Sequence, residues 1–236
     1  NFFSQTTSND FQGLIDLYLI NKIMDDSNLR SIIKLHLPGI LNNDPESQFE
    51  LGNFFSEDKN PNFNIDFAIY YYSLAANQNH SMALYNLGRI YLKNKHIKPN
   101  VDTAIHYFKK AAELNYEIAQ YKLGHIYYKN KYIPRDIKKS IHYLTLAANQ
   151  NNAKSQCLLG IIYEKGKYVK CDPEKSIYFY KLAANQNYFH AQYNLSLIYL
   201  KGNIVPCDIK KGVYYLSLSA EHNYLNAQTS LAYIYM

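Results

Sequence analysis

Tryptophan is absent from the 236-residue sequence, and cysteine, proline and glycine are scarce at three, seven and nine residues. Three cysteines, Cys157, Cys171 and Cys207, cannot form a disulfide framework. No CxxC, HExxH, P-loop, GxGxxG or GxSxG string occurs, so the usual metal, phosphate-cradle and nucleophile-elbow signatures are missing. Acidic residues do not gather into an acid–base pair, and no catalysis, metal or cofactor is expected. Apolar runs stop far short of the ~20 residues a membrane helix needs. No charged-then-apolar leader is visible, and free thiols suit a reducing compartment, so the expected location is the cytoplasm. The first residue is Asn1 rather than Met, which suggests an upstream segment that has been removed. Charged residues make up 19%, below the usual ~25%, which excludes a disordered acidic or basic tail.

The charge that is present is unevenly placed. Residues 1–60 hold nine acidic and four basic side chains, a balance of −5, and residues 61–236 hold ten and twenty-one, a balance of +11. Such asymmetry can mark an acidic partner, although a solvated basic surface is the simpler explanation.

The dominant feature is an internal period of 36 residues. Leu51-Gly52, Leu87-Gly88, Leu123-Gly124 and Leu159-Gly160 recur at that spacing, and Leu195-Ser196 and Leu231-Ala232 continue the phase. Ala75-Ala76, Ala111-Ala112, Ala147-Ala148 and Ala183-Ala184 share it, as do Asn79, Asn115, Asn151, Asn187 and Asn223. So do Tyr91, Tyr127, Tyr163, Tyr199 and Tyr235, with Phe55 ahead of them. Within residues 81–116, Ala83, Leu84, Leu87, Ile90 and Tyr91 fall at helical spacing and form one apolar stripe. This first helix of each unit is termed helix A, and the glycine in its middle predicts close approach of another helix. Asn64, Asn100, Asp136, Asp172 and Asp208 are placed to cap a second helix, helix B. Pro173 follows its cap at the first helical position. Helix B is expected to stop at the in-phase asparagine, which tolerates the left-handed conformation. The linking loop carries Ile97, Ile133, Val169 or Val205, an apolar residue expected to tuck under the next unit.

The phase also runs backwards, with Asn28 matching the caps, Asn43 matching the terminal asparagines, and Ile15, Leu19 and Ile33 matching packing positions. Pro38 is expected to interrupt helix B of this segment. The expected organisation is a degenerate capping repeat over residues 1–44, five repeats over 45–224, and a lone helix A over 225–236. The predicted fold class is all-α, a right-handed α/α superhelical solenoid of 36-residue helix-turn-helix repeats.

These residues are similar to a known pattern. Ala119, Leu123, Gly124, Tyr127, Asp136, Lys139 and Ala147-Ala148 match A-x-x-x-L-G-x-x-Y, a loop, D-x-x-K-A and a late A-A, so the chain resembles the Sel-1-like repeats, relatives of the tetratricopeptide repeat. Ser140 replaces the usual alanine, and asparagine replaces the frequent glycine at the repeat end. The resemblance implies a scaffold or adaptor that binds other proteins. By analogy with the tetratricopeptide arrangement, helix A lines a concave wall. That places Met82, Tyr85, Arg89 and Leu92 on it, followed by Ile118, Tyr121, His125 and Tyr128. Lys154, Cys157, Ile161 and Glu164 follow, and then His190, Tyr193, Leu197 and Leu200. These positions vary between repeats while the packing positions do not, as suits capture of a peptide or helix. The tyrosines among them can equally fill gaps between helices.

Lys93, Lys129, Lys165 and Lys201 form a ladder that could meet an acidic or phosphorylated partner or a nucleic-acid backbone. Its place in the last turn of helix A, where the dipole favours a cation, is the preferred explanation. Lys138 and Lys210 stand at helix starts without one. His106 and His142 are one repeat apart, about 8–10 Å, too far to share a metal. The expected function is therefore protein–protein scaffolding, with an unidentified protein as partner and nucleic acid disfavoured. Two alternatives are a regulatory repeat region of a larger enzyme such as a protein kinase, and single-stranded RNA binding through stacked tyrosines and lysines.

Overall fold

The computed structural model describes residues 27–129 and 131–236. Among them every regular element is an α-helix. They run α1 (Ser27–Leu41), α2 (Pro45–Ser56), α3 (Ile65–Asn77), α4 (Ser81–Leu92), α5 (Val101–Glu113) and α6 (Glu117–Lys129). Then come α7 (Ile137–Asn149), α8 (Ala153–Lys165), α9 (Pro173–Ala184), α10 (Phe189–Lys201), α11 (Ile209–Glu221) and α12 (Leu225–Tyr235). The expected 36-residue helix hairpins are present. The chain divides into two compact units, residues 1–114 and 115–236. Unit 1 contains α1 and the hairpins α2–α3 and α4–α5. Unit 2 contains α6–α7, α8–α9, α10–α11 and α12.

Each hairpin is closed by the same small set of backbone requirements. All five predicted caps sit at the start of helix B, and the side chains of Asn64, Asn100, Asp136, Asp172 and Asp208 accept backbone N–H groups of the first turn. The N–H of each cap donates in turn to the carbonyl of the in-phase aromatic of helix A, from Asn64 to Phe55 at 2.9 Å through Asp208 to Tyr199 at 3.0 Å. At the far end, Asn43, Asn79, Asn115, Asn151, Asn187 and Asn223 all have positive φ, between 57° and 62°. There the chain folds back onto the last helix-B carbonyls: Asn151 N–H donates to Ala148 and Asn152 N–H to Ala147.

The mid-helix glycines are explained by what lies against them. A Cβ at Gly88 would stand 2.6 Å from the Phe108 ring, one at Gly124 2.6 Å from Leu144, and one at Gly160 2.6 Å from Tyr180. Gly52 faces the Tyr72 ring in the same way. A ring pairing marks each hairpin, and a hydroxyl pairing marks two of them. A ring of helix A stacks on one of helix B sixteen residues later, as with Tyr127 and Tyr143 (6.0 Å, 4°) and Tyr199 and Tyr215 (6.1 Å, 6°). The hydroxyl of Ser140 donates to the Gly124 carbonyl and that of Ser176 to Gly160, which accounts for serine where the family pattern has alanine.

Three expectations need correction or placement. Pro38 lies inside α1 and does not interrupt it. Asn28 is within α1, which starts at Ser27, so it is not a cap. The match at Ile15 and Leu19 lies outside the described residues. Of the loop residues, Val169 packs on a cluster built by α7 and α8, and Val205 on one built by α8, α9 and α10. Both therefore contribute to the cores of their own and the preceding hairpin.

Candidate functional site

The wall positions are set by what the rest of helix A must bury. In α4, Ala83, Leu84, Leu87, Gly88 and Ile90 are buried, and this leaves Met82 and Arg89 exposed with Tyr85 half-buried. Leu92 corrects the expectation: it is only 4% exposed. It stands four residues beyond Gly88, on the buried stripe itself. Arg89 is positioned from below. Its Nη1 donates to Asn86 Oδ1 (3.3 Å) and its guanidinium lies 6.0 Å from the Tyr85 ring centre. Asn86 donates to Asn53, which also accepts the Tyr72 hydroxyl at 2.8 Å. Tyr85 packs on Phe108 at 5.6 Å, and burial raises its phenol pKa. Unit 1 thus presents an exposed thioether and a stacked guanidinium beside a half-buried ring.

In unit 2, Ile118 is exposed at 36%, while Tyr121, His125, Tyr128, Ile161, Tyr193 and Leu197 are half-buried. Tyr121, Tyr128 and Ile161 come together on one cluster formed by α7 and α8. His125 lies 5.9 Å from Tyr121, and burial, with Lys129 and Lys122 nearby, lowers its pKa and favours the neutral ring. Tyr193 belongs elsewhere: it meets Tyr224 edge-on at 5.2 Å, in a group with Phe189 and His190. Cys157 is buried at 4%, and burial pushes its thiol up to about 12, so it is inert and unavailable to a partner. Glu164 is half-buried and accepts the Tyr180 hydroxyl at 2.6 Å.

The sequence reading missed a polar staple between hairpins. Gln48, Gln120, Gln156 and Gln192 are buried in the first turns of helix A. Gln156 donates to the Ala148 carbonyl of the preceding helix B, and Gln192 to that of Ala184. Gln186 donates to Gln156 at 2.7 Å and Gln150 to Gln120 at 2.8 Å. The signal was a glutamine at the same 36-residue phase, together with a second one thirty residues later.

Among the described residues no group of three His, Cys, Asp or Glu could hold a metal, and no helix is long and apolar enough to cross a membrane. Cys157, Cys171 and Cys207 are all free thiols.

The arrangement agrees with comparisons to known proteins. The chain is similar in structure to a Sel1 repeat protein from Oxalobacter formigenes, with 26% identity, TM-score 0.73, and coverage of 82% of this chain and 79% of that one. It is also similar to c5321, a protective antigen of uropathogenic Escherichia coli with an SLR fold, at 25% identity and TM-score 0.78. That match covers 86% of this chain and 44% of the antigen, so the chain spans less than half of the antigen's length. No curated protein sequence matches it. The Sel1 repeat profile matches residues 45–80, 81–116, 118–152, 153–188 and 189–224. With most of its length made of such units, the chain belongs to the Sel1 repeat family.

Proposed function

We propose that this protein captures an extended peptide or a helix of a partner protein on the exposed helix-A positions of each unit, and that it performs no catalysis of its own. Sel1 repeat proteins are generally protein-interaction scaffolds. The observation that carries the reading is the contrast within one helix type. The glycine and alanine positions repeat because packing dictates them, while Met82, Arg89 and Ile118 stay at the surface and differ from unit to unit. Exposed apolar groups beside half-buried tyrosines and a ring-stacked arginine suit a partner's apolar side chains and carbonyls.

The test is site-specific crosslinking in the source cell. A photoreactive residue at Met82 or Ile118 is compared with one at Tyr178 or Tyr214, which are exposed on helix B. The expected outcome is a protein crosslinked from the helix-A positions alone and lost in the Met82→Glu/Arg89→Glu/Ile118→Glu variant, whose fold is monitored by circular dichroism. The same protein trapped equally from helix B, or capture unchanged in the triple variant, refutes the site.

A further inference from the structure

The basic character of the chain is concentrated at one end of the unit 2 hairpins, where helix A ends, the loop crosses and helix B begins. Lys129, Lys165 and Lys201 are exposed there in the last turns of α6, α8 and α10. Lys131 and Lys167 follow in the loops, and Lys138 and Lys210 in the next first turns, all exposed. The acids at this end are already engaged: Asp136, Asp172 and Asp208 pair with Lys139, Lys175 and Lys211 at 3.0, 3.0 and 2.8 Å. Among the described residues, none of the seven exposed lysines just named has a carboxylate at ion-pair distance, and Glu174 is the exposed acid left beside them. A recess of about 150 Å³ opens in the same edge, lined by Tyr128, Ile162, Lys165, Lys167 and Tyr168. Unit 1 lacks this excess: Lys59, Lys93, Lys95 and Lys98 at the same end are matched in number by Glu57, Asp58, Asp66 and Asp102, and Lys95 and His96 both meet Asp58, at 3.0 and 3.2 Å.

We propose that this edge of unit 2 binds an extended, carboxylate-rich peptide segment of a partner protein. Three observations select that chemistry. In-phase lysines recur at one repeat, about 8–10 Å, which an extended chain at about 3.3 Å per residue matches with an acidic residue at every third position. A single phosphate group is instead read by converging arginine forks. The one arginine here, Arg135, is already committed: its Nε donates to the Tyr128 carbonyl at 2.7 Å, its Nη1 to the Tyr168 hydroxyl, and its plane covers the Tyr168 ring at 4.2 Å. Single-stranded nucleic acid needs open aromatic faces for its bases. Tyr127, Tyr163 and Tyr199 already stack on a helix-B ring and each carries a lysine at 5.3–5.6 Å, while Arg135 and Lys167 cover Tyr168. The proposal does not depend on peptide capture by the helix-A wall.

The probe is a fluorescent ten-residue peptide with glutamate at every third position and serine elsewhere, titrated against the full chain at low ionic strength, with a glutamine version as control. Binding by the glutamate peptide alone, weakening with added salt, is expected. Lys129→Gln/Lys165→Gln/Lys201→Gln should weaken it about tenfold or more, whereas Lys34→Gln/Lys110→Gln/Lys181→Gln, which removes equal charge elsewhere, should hold it within about twofold. Met82→Glu/Arg89→Glu/Ile118→Glu should leave it unchanged, which separates this edge from the wall. No binding by the wild type, or equal loss in the two lysine variants, overturns the proposal. Tighter binding of an oligouridylate or of a peptide with one phosphoserine in place of the glutamates also overturns it.

Discussion

Gln192 is fully buried, yet its Oε1 has no hydrogen-bond partner among the described residues. The register of the repeat explains why. In three other hairpins the buried glutamine of helix A accepts from a second glutamine thirty residues later: Gln48 from Gln78, Gln120 from Gln150 and Gln156 from Gln186. The hairpin that starts at Ser81 has leucine at both places, Leu84 and Leu114, so nothing polar is left over. Among the described residues, Gln192 faces a mismatch, because position 222 is histidine. Replacing His222→Gln should supply the missing donor and stabilise the hairpin by about 0.5–1.5 kcal/mol, read as a higher urea midpoint with an unchanged slope. A midpoint that stays or falls would show that Oε1 is satisfied in solution by other means. A second residue-level rule, at a spacing of sixteen, sets the fate of Leu92. Ser56 meets the Tyr72 hydroxyl and Glu164 the Tyr180 hydroxyl, whereas Leu92 in the same phase is paired in sequence with Phe108, which has no hydroxyl. These pairings were present in the sequence. They were illegible because a lone glutamine or leucine does not announce burial until its partner's position is known.

At the level of the helix hairpin, the legible features were those with few chemical solutions. A left-handed residue after helix B, an acceptor before it and a hole opposite a large side chain call for Asn or Gly, Asx, and Gly; the five hairpins show the first two throughout and the glycine in four, with Ser196 in its place in α10. Pro38 was misread because proline tends to break helices, yet α1 continues through it. What the sequence did not show was the role of the lysine placed three residues after each unit 2 cap. Lys139, Lys175 and Lys211 sit where the helix dipole opposes a cation, but each pairs with its cap carboxylate and lies over the helix-A tyrosine. For Asp136 and Asp172 the Lys139 and Lys175 backbone N–H groups, then the lysine side chains, hold the carboxyl pKa below its usual value; for Asp208 the Lys211 side chain leads. A folded-state pKa below the unfolded one adds stability that is present above the unfolded value, near 3.9, and is lost as pH falls through the folded value. Melting temperature should therefore drop on acidification below about pH 4. The Asp136→Asn/Asp172→Asn/Asp208→Asn variant keeps the caps, as Asn64 and Asn100 do in unit 1. It should lose little at pH 7 and show a shallower acid limb. An identical acid limb would assign that limb to other carboxylates.

For the whole molecule, the division at residue 114 separates two compact units of different charge. Residues 1–114 hold twelve acidic and ten basic side chains, a balance of −2, and residues 115–236 hold seven and fifteen, a balance of +8. Unit 2 also meets the conditions for folding alone. It has three complete hairpins, about the number at which stacked repeats become self-sufficient. Its cores are internal: Leu144, Ala148, Leu158, Leu159 and Ile162 form one, and Tyr180, Ala183, Leu195, Ile198 and Tyr199 belong to the other. Its neighbouring hairpins are joined by bonds that begin and end within it, from Gln156 to Ala148 and from Gln192 to Ala184, and Ser219 ties α11 to the Phe189 carbonyl within the last hairpin. Residues 115–236 expressed alone should thus be helical and melt in one cooperative transition. Because stability in stacked repeats is close to a sum of hairpin and nearest-neighbour contributions, Gln156→Leu should destabilise this fragment and the full chain by similar amounts. Its loss takes one of two partners from the Ala148 carbonyl, which keeps the Asn151 N–H, and from the Gln186 side chain, which keeps the Leu182 carbonyl. A fragment that is unfolded, or that melts without cooperativity while the full chain does not, would mean that unit 2 draws its order from residues before 115.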